Sequence, residues 1–342
     1  MAVSSLWMLL AAAIMQLPLL VLTAPLAARQ APAGVPSYVI RYAPLVYLFS
    51  GDPYRPTNLT VHLQNTQPEI NYTAVSGYPF PLTLSNLDQV PAGAFLTLTT
   101  DITTTPTYLL GSTPDSSGRI SSAIPATIIV APKANATVDV FYLYFYSYNW
   151  GGIVNILNRN FGNHVGDWEH TMVRFVDEVP TTAWYSQHAS GQASTWAALQ
   201  KSDQGRPYAY SANGSHATYA TAGTHDHTIP DLDLDIDVLL TDDCDAGVLW
   251  DPTLSAYYYT YDVATNSFGT YDNATPTAYL NFGGKWGDQH YPDSDPRQEN
   301  LLRLDLVYKY SDGPTGPKDQ GLARVNVCPD SEEECEIRDK LT

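Results

Sequence analysis

The residues best suited to chemistry lie in one short run, Asn163-His-Val-Gly-Asp-Trp-Glu-His170, which leads directly into an apolar, strand-like sequence. In an extended backbone Asp167 and Glu169 share one face, about 7 Å apart by the strand rise, with His164 on the turn before them. Such carboxylates can share a divalent cation, Ca²⁺ or Mg²⁺, or divide general acid and base work. We predict a cation site at Asp167, Glu169 and His164. The structural alternative is a hydrogen-bonded network at the start of a strand.

The neighbours of the acidic pair alternate with it along the strand. Trp168 and His170 therefore point to the opposite face from Asp167 and Glu169. This alternation predicts that Trp168 packs in the core while the two carboxylates face a cleft.

Further histidines follow along the chain. His216 comes directly after the turn signal Asn213-Gly214. His225 and His227 have the i, i+2 spacing of two ligands on one face of a strand. Taken singly, a histidine is usually a surface residue or a core residue with its hydrogen bonds satisfied. We predict that five residues line the ligand cleft: His170, His216, His225, Asp226 and His227.

A third polar stretch, Gly283-Gly-Lys-Trp-Gly-Asp-Gln-His290, either lines the same cleft or forms a turn. Several familiar motifs are absent from the sequence. It contains no Gly-x-Ser-x-Gly elbow, no His-Glu-x-x-His, no Gly-rich phosphate loop and no Cys-x-x-Cys. Serine-triad and nucleotide chemistry are therefore disfavoured.

The elements that must position these residues are mostly strands. The chain has 24 Tyr, 25 Pro and 22 Gly, which is typical of strands joined by tight turns. One helical window, Ser194–Lys201, stands out. We predict an all-β fold with minor α content, as a single-domain β-sandwich or distorted barrel. The predicted strands are Tyr38–Phe49, Leu59–Leu63, Thr127–Val130, Val138–Tyr148, Glu169–Val176, Thr182–Gln187, Tyr257–Tyr261 and Leu302–Tyr310.

The segment Asp231–Val238 alternates Asp with aliphatic residues and so places four carboxylates on one face of a strand. A solvated edge that resists pairing with other chains explains this pattern. A calcium site is the alternative, although the spacing is not that of an EF-hand.

The N-terminus predicts entry into the secretory pathway. Leu6 to Ala24 is almost wholly apolar, and the first charged residue is Arg29. We predict a signal peptide over 1–24, with a retained signal anchor as the alternative. A short linker (25–37), a β domain (38–327) and an acidic C-terminal tail (328–342) follow. No later stretch is apolar enough to span a membrane, so the mature chain should be extracellular or lie in the vacuole lumen.

Sequons and cysteines fit that compartment. Cys328 and Cys335 are close enough to form a disulfide, which leaves Cys244; three unpaired thiols are the alternative. A glycan on Asn213 would crowd a cleft near His216. The predicted glycosylation sites are Asn58, Asn71, Asn135, Asn213 and Asn273.

The charge of the chain restricts its partners. The formal net charge is −18, from 35 acidic and 17 basic residues. Such a surface repels phosphate backbones, so we exclude nucleic acid as a partner.

Several of these motifs together resemble the vacuolar protein sorting-associated protein 62 family. The resemblance covers roughly residues 38 to 328 and implies a link to protein targeting to the vacuole, with no settled chemistry. The segments that carry it are Gly166–Arg174, Gly214–Tyr219, Gly223–Asp226, Leu249–Pro252, Gly287-Asp288 and Asp293–Arg297.

A second similarity is to the necrosis- and ethylene-inducing toxin-like proteins, whose hallmark is Gly-His-Arg-His-Asp-Trp-Glu in a single-domain β-sandwich. In that family a divalent cation at the hallmark helps to dock a sphingolipid sugar headgroup. His164, Asp167 and Glu169 match the hallmark by position, whereas Gly166 stands where that family has its second histidine.

These observations predict a non-catalytic binding or sorting protein with a cation-dependent acidic cleft. Its partner would be a glycan, a glycolipid or a protein cargo. Two alternatives stay open. One is a metal-assisted hydrolase that uses Asp167, Glu169 and either His170 or His216, and the other is a glycolipid-binding, toxin-like protein.

Overall fold

The computed structural model describes residues 31–154, 159–188, 190–227, 240–300, 308–330 and 335–341. The predicted signal peptide (1–24), the alternating segment Asp231–Val238 and most of the predicted strand Leu302–Tyr310 lie outside these ranges.

Short strands make up most of the regular structure. The two α-helices of the described ranges are α1 (Ser37–Arg41) and α2 (Leu59–Gln64). The strands are β1 (Leu45–Leu48), β2 (Thr66–Ile70), β3 (Thr73–Ala74), β4 (Phe95–Leu98), β5 (Ala126–Pro132), β6 (Thr137–Asn149), β7 (Ile153–Val154), β8 (Arg159–Asn160), β9 (His164–Val176), β10 (Val179–Gln187), β11 (Ser190–Thr195), β12 (Tyr208–Ser211), β13 (Thr218–Tyr219), β14 (Gly223–His227), β15 (Leu240–Cys244), β16 (Val248–Trp250), β17 (Ala256–Asp262), β18 (Ser267–Thr270) and β19 (Ile337–Arg338).

One large sheet organises the fold. Its eight strands run in the order β18-β17-β5-β6-β9-β10-β11-β19, and a four-stranded sheet has the order β13-β12-β1-β16. The smaller sheets are β3-β2-β4, β14-β15 and β7-β8. The all-β prediction is confirmed. Among the described residues the sheets do not close on themselves, so the architecture is a sandwich rather than a barrel.

The large sheet is buried on both faces at its centre. Along β6, Phe141 and Phe145 belong to a cluster that includes α2 residues and Trp286, whereas Tyr142 and Tyr144 pack with β1 and Trp250. A strand covered on both sides carries apolar or aromatic residues at every position, which explains the unbroken run of β6. This burial holds β9, the neighbour of β6, in the middle of the molecule.

Two predicted strands are helical at least in part. The segment Leu59–Leu63 forms α2, because the side chain of Asn58 accepts a hydrogen bond of 2.9 Å from the backbone of Thr60 and so caps the helix. The first residues of Tyr38–Phe49 lie in α1, and only the later part forms β1. The β-branched composition was therefore a poor guide at both places.

The one predicted helix is also wrong. Ser194–Lys201 begins as the end of β11, which pairs with β10, and continues as a turn. Trp196 in that turn packs against Tyr42, with ring centroids 5.8 Å apart. Tertiary pairing and packing override the weak helical preference of so short a window.

The predicted disulfide is confirmed. Cys328 and Cys335 are bonded, with their Cα atoms 5.4 Å apart, while Cys244 is a buried free thiol. Within the predicted C-terminal tail, β19 pairs in parallel with β11 at the edge of the large sheet. Across the described ranges, no helix is long and apolar enough to span a membrane.

Candidate functional site

A cleft of about 830 Å³ opens where β10 leaves β9. The last paired residues are Tyr185 and Thr171. Beyond them, the hydroxyl of Ser186 accepts a hydrogen bond of 2.7 Å from the backbone nitrogen of His170, in place of a strand partner. The unpaired edge of β9 therefore borders the cleft, and side chains from both faces of the strand line it.

Asp167 forms one end of a buried chain of charged groups. Its Oδ2 accepts a hydrogen bond of 2.9 Å from Nδ1 of His216, whose Nε2 lies 3.4 Å from Oδ2 of Asp52. All three side chains are buried. Burial lowers the pKa of His216, but the hydrogen bonds and charges of the two carboxylates raise it, with a net value of about 9. The imidazole is therefore an imidazolium at neutral pH.

The loop before β13 holds His216 in place. His216 has a φ of +58°, and its ring stacks on Tyr146 of β6 at a centroid distance of 3.7 Å. Asp52 fixes the same loop by accepting a hydrogen bond of 3.0 Å from the backbone of Gly214. Asp52 is absent from the sequence-based predictions. Its only local signal was the turn-forming pair Asp52-Pro53.

Glu169, the second carboxyl of the predicted pair, has an unusual pKa. It is buried and hydrogen-bonded to the hydroxyl of Ser186. Burial, and next the charge of Asp167, raise the pKa of Glu169 well above its usual range. The two carboxyls lie on the same face of β9, as the sequence predicts, and Glu169 favours its protonated form.

A second pairing of a histidine with a carboxylate lies close by. Oδ2 of Asp242 on β15 is 2.7 Å from Nε2 of His188 and also accepts a hydrogen bond of 2.7 Å from the hydroxyl of Tyr219. Ser215 donates to the other oxygen of Asp242 at 2.6 Å. His188 lines the cleft, and neither it nor Asp242 was predicted from the sequence as a site residue.

Three of the residues predicted to line the cleft lie on β14 and are not among the described residues that line it. They are His225, Asp226 and His227. His225 stacks on Tyr219 at a centroid distance of 3.9 Å, and its Nε2 donates to the carbonyl oxygen of Thr221. It thus lies beside the Asp242 network, next to Tyr219 and opposite Asp242 in the pairing of β14 with β15. Asp226 and His227 pair through their backbones with β15, and their side chains lie outside the described residues.

His164, the third predicted cation ligand, lies in the cleft wall beside Asp167. Its Nδ1 donates a hydrogen bond of 2.7 Å to the carbonyl oxygen of Gly166. Burial lowers the pKa of His164, so its ring is neutral at neutral pH. No group of three or more His, Cys, Asp or Glu side chains in the described ranges is placed to hold one metal ion. A cation at Asp167, Glu169 and His164 therefore stays a prediction.

The opposite wall of the cleft is aromatic. His170 is buried between Phe141 and Trp184, with ring centroids 5.8 and 4.9 Å from its own. The guanidinium of Arg324 lies 4.8 Å from the ring centre of Trp184. Trp168 packs in the core against Phe145, in the direction that strand alternation predicts.

The stretch from Gly283 to His290 borders two cavities. Lys285 lines the cleft, whereas Asp288 and Gln289 line a separate cavity of about 430 Å³. His290 pairs with Asp312 at the surface, with Nδ1 and Oδ1 2.9 Å apart. The stretch therefore contributes one residue, Lys285, to the cleft.

The fold and the cleft place the protein in the class of all-β sandwich proteins with an acidic, histidine-bearing cleft. Within that class, the chain belongs to the vacuolar protein sorting-associated protein 62 family, whose profile matches residues 33–304. The resemblance seen in the sequence motifs is confirmed.

Two relatives come from Saccharomyces cerevisiae. The chain is 36% identical to the vacuolar protein sorting-associated protein TDA6, over 87% of this chain and 69% of that protein. It is 33% identical to vacuolar protein sorting-associated protein 62, over 86% of this chain and 68% of that protein.

Among solved structures, the chain is similar to one described as a toxin fold for microbial attack and plant defense. The identity is 13%, the TM-score is 0.33, and the match covers 69% of this chain and 79% of the other. A structure described as NLPPya in complex with glucosamine matches with 13% identity and a TM-score of 0.29, over 68% and 79% of the two chains. Scores this low leave the ligand and function of this chain to be argued from its own residues.

Proposed function

We propose that this protein is a non-catalytic binding protein of the vacuolar sorting pathway, located in the lumen, that binds a glycan in the cleft beside β9. The observation that carries the proposal is the composition of the cleft walls, with Asp167 and Glu169 on one side and Trp184 on the other.

The size and chemistry of the cleft suit a short glycan. A volume of about 830 Å³ is within the range of small-molecule pockets. The carboxyl and hydroxyl groups of the cleft can accept hydrogen bonds from sugar hydroxyls or donate hydrogen bonds to them. The flat indole of Trp184 provides an apolar surface for the ring of a sugar. The yeast relatives, named for vacuolar protein sorting, support the choice of pathway.

Binding is favoured over turnover because each carboxyl group already has a partner within the protein. Asp167 is held by His216 and Glu169 by Ser186. One observation favours a hydrolase as the second candidate. Glu169 lies beside a second carboxyl, Asp167, and its raised pKa would suit a general acid. Release of sugar products from an oligosaccharide by the purified protein would support the hydrolase.

We expect Glu169→Met to weaken glycan binding by about tenfold, since one buried hydrogen-bonding group is lost. The melting temperature should not fall, because the substitution removes a carboxyl group whose burial is unfavourable. Calorimetric titration with a panel of short oligosaccharides measures the first effect, and thermal unfolding measures the second.

Glu69→Met is the matched control, because Glu69 lines the separate cavity and not the cleft. It should leave glycan affinity unchanged. A native protein that binds no oligosaccharide of the panel would refute the proposal, as would equal affinities of the native protein and Glu169→Met. The same titration with millimolar Ca²⁺ and with EDTA tests the predicted cation. Loss of binding in EDTA would support it, and identical affinities would count against it.

A lumenal location predicts that sequons carry glycans. Asn71, Asn135 and Asn273 are exposed, whereas Asn58 caps α2 and Asn213 is half-buried beside the His216 loop. We expect a glycosidase digest of protein from a eukaryotic secretory host to increase its mobility. Asn135→Gln should remove one glycan and Asn213→Gln none. A digest without any shift would contradict the lumenal location.

A further inference from the structure

Three residues that line the cleft have a buried ring nitrogen without a hydrogen-bond partner among the described residues, namely Trp168, His170 and Trp184. The nitrogens of the last two lie together in the aromatic wall. They are Nδ1 of His170 and Nε1 of Trp184. The side chains are 2% and 3% exposed, and their ring centroids are 4.9 Å apart. A buried polar atom without a partner is unfavourable, and folded proteins retain few of them. Two such atoms together in a cleft wall indicate that a ligand supplies the partner.

Both nitrogens are hydrogen-bond donors. Nη2 of Arg324 lies 3.4 Å from Nε2 of His170. Because a guanidinium only donates, Nε2 is the acceptor and Nδ1 carries the proton. The indole nitrogen of Trp184 also only donates.

The charges around the wall favour a neutral acceptor over an anion. Asp167 and three further aspartates line the cleft, against the two cations Lys285 and Arg324. An anionic group of a ligand would be repelled by this excess of carboxylates. A carbonyl oxygen accepts two hydrogen bonds without bringing charge, and the indole beside it provides an apolar surface. The acetamido group of a sugar carries a carbonyl oxygen and a methyl group together.

We propose that this wall is the subsite for the acetamido group of an N-acetylated sugar such as N-acetylglucosamine. The carbonyl oxygen accepts hydrogen bonds from Nδ1 of His170 and Nε1 of Trp184, and the methyl group packs on the Trp184 ring. Side-chain rotations of the kind that commonly accompany binding bring the two donors to the ligand. The inference rests on the proposed glycan function and narrows its substrate class.

Two disaccharides that differ chiefly in this group provide the test, N,N′-diacetylchitobiose and cellobiose. We expect the native protein to bind the acetylated sugar about tenfold more tightly or better, because two donors lose their partner with cellobiose. Trp184→Phe removes one donor and should reduce that preference severalfold. The ratio of the two affinities is the readout, because the smaller ring also weakens stacking with both sugars. Trp196→Phe is the matched control, since Trp196 packs in the other core cluster and should keep the full preference.

Gly191→Ala is a second, independent variant. A Cβ at Gly191 would lie 2.2 Å from Cζ2 of Trp184 and would displace the indole. It should reduce the preference as Trp184→Phe does. Equal binding of the two sugars by the native protein would overturn the acetamido subsite and leave the glycan function standing. A preference that survives both variants would also overturn it. Binding of neither sugar nor any other oligosaccharide would overturn both proposals.

Discussion

Gly166→Ala is expected to lower the free energy of unfolding by about 3 kcal/mol. Gly166 has a φ of +67°, a conformation that costs an L-residue about 1–2 kcal/mol. A Cβ at this position would lie 2.1 Å from the carbonyl oxygen of Trp286. That atom is backbone, so the segment around Trp286 would have to shift, at a further cost of about 1–3 kcal/mol. Chemical denaturation of the two proteins measures the difference.

Gly205→Ala separates the two contributions. Gly205 has a φ of +78°, but nothing lies within 4 Å of its added Cβ. This variant should show the backbone cost of about 1–2 kcal/mol and no more. An equal decrease in the free energy of unfolding of the two variants would show that the contact with Trp286 adds nothing to the cost of Gly166→Ala.

The same contact explains where the sequence departs from the toxin-like hallmark. That hallmark has a histidine at the position of Gly166, and here the carbonyl oxygen of Trp286 occupies the space of any side chain. His164 then donates to the carbonyl of Gly166 itself. The hallmark's second histidine therefore has no counterpart in this protein, and the predicted cation site consists of Asp167, Glu169 and His164 alone.

Local patterns predicted the strand that carries the site. Alternation along β9 correctly placed Asp167 and Glu169 on one face and Trp168 on the other, because the side-chain period of a strand is a local property. The prediction of α2 as a strand failed for an equally local reason. Asn58 was interpreted as a sequon, although its side chain caps the helix that follows.

The histidine partners could not be predicted in this way. His216 is 49 residues from Asp167, and His188 is 54 residues from Asp242. The first pair forms because the four-stranded sheet, with β12 parallel to β1, lies over the face of β9 that carries the acidic pair. The second pair joins the end of β10 to β15, which belongs to a separate two-stranded sheet. No periodicity within a single segment contains that information, and so Asp52, His188 and Asp242 were missed.

His216→Asn should lower the free energy of unfolding at pH 6 by about 3–5 kcal/mol. The substitution leaves the carboxyl groups of Asp52 and Asp167 buried without the imidazolium that they share. Asparagine tolerates the positive φ of this position. The decrease in the free energy of unfolding therefore reflects the missing imidazolium and not backbone strain. Urea unfolding of the native and variant proteins at one pH measures it.

An exposed histidine pair provides the control. His290 and Asp312 are about as close as His216 and Asp167, with 2.9 Å between the nitrogen and the oxygen, but both are partly exposed. Surface ion pairs contribute about 0–1 kcal/mol to stability, so His290→Asn should lower the free energy of unfolding by an amount in that range. A similar loss in both variants would contradict the special role of burial at His216.

The pH dependence of stability tests the same ion pair without a mutation. The pKa of His216 is about 9 in the folded protein and about 6.5 when unfolded, so its stabilisation is complete below pH 6.5 and is lost as the pH rises to 9. A shift of this size corresponds to about 3 kcal/mol. The raised pKa of Glu169 acts in the same direction, because its ionisation at higher pH also opposes folding. We therefore expect the native protein to be most stable in mildly acidic solution, with a much shallower decline towards pH 9 in His216→Asn. Equal slopes for the two proteins between pH 6.5 and 9 would show that His216 is not the charged centre of the site.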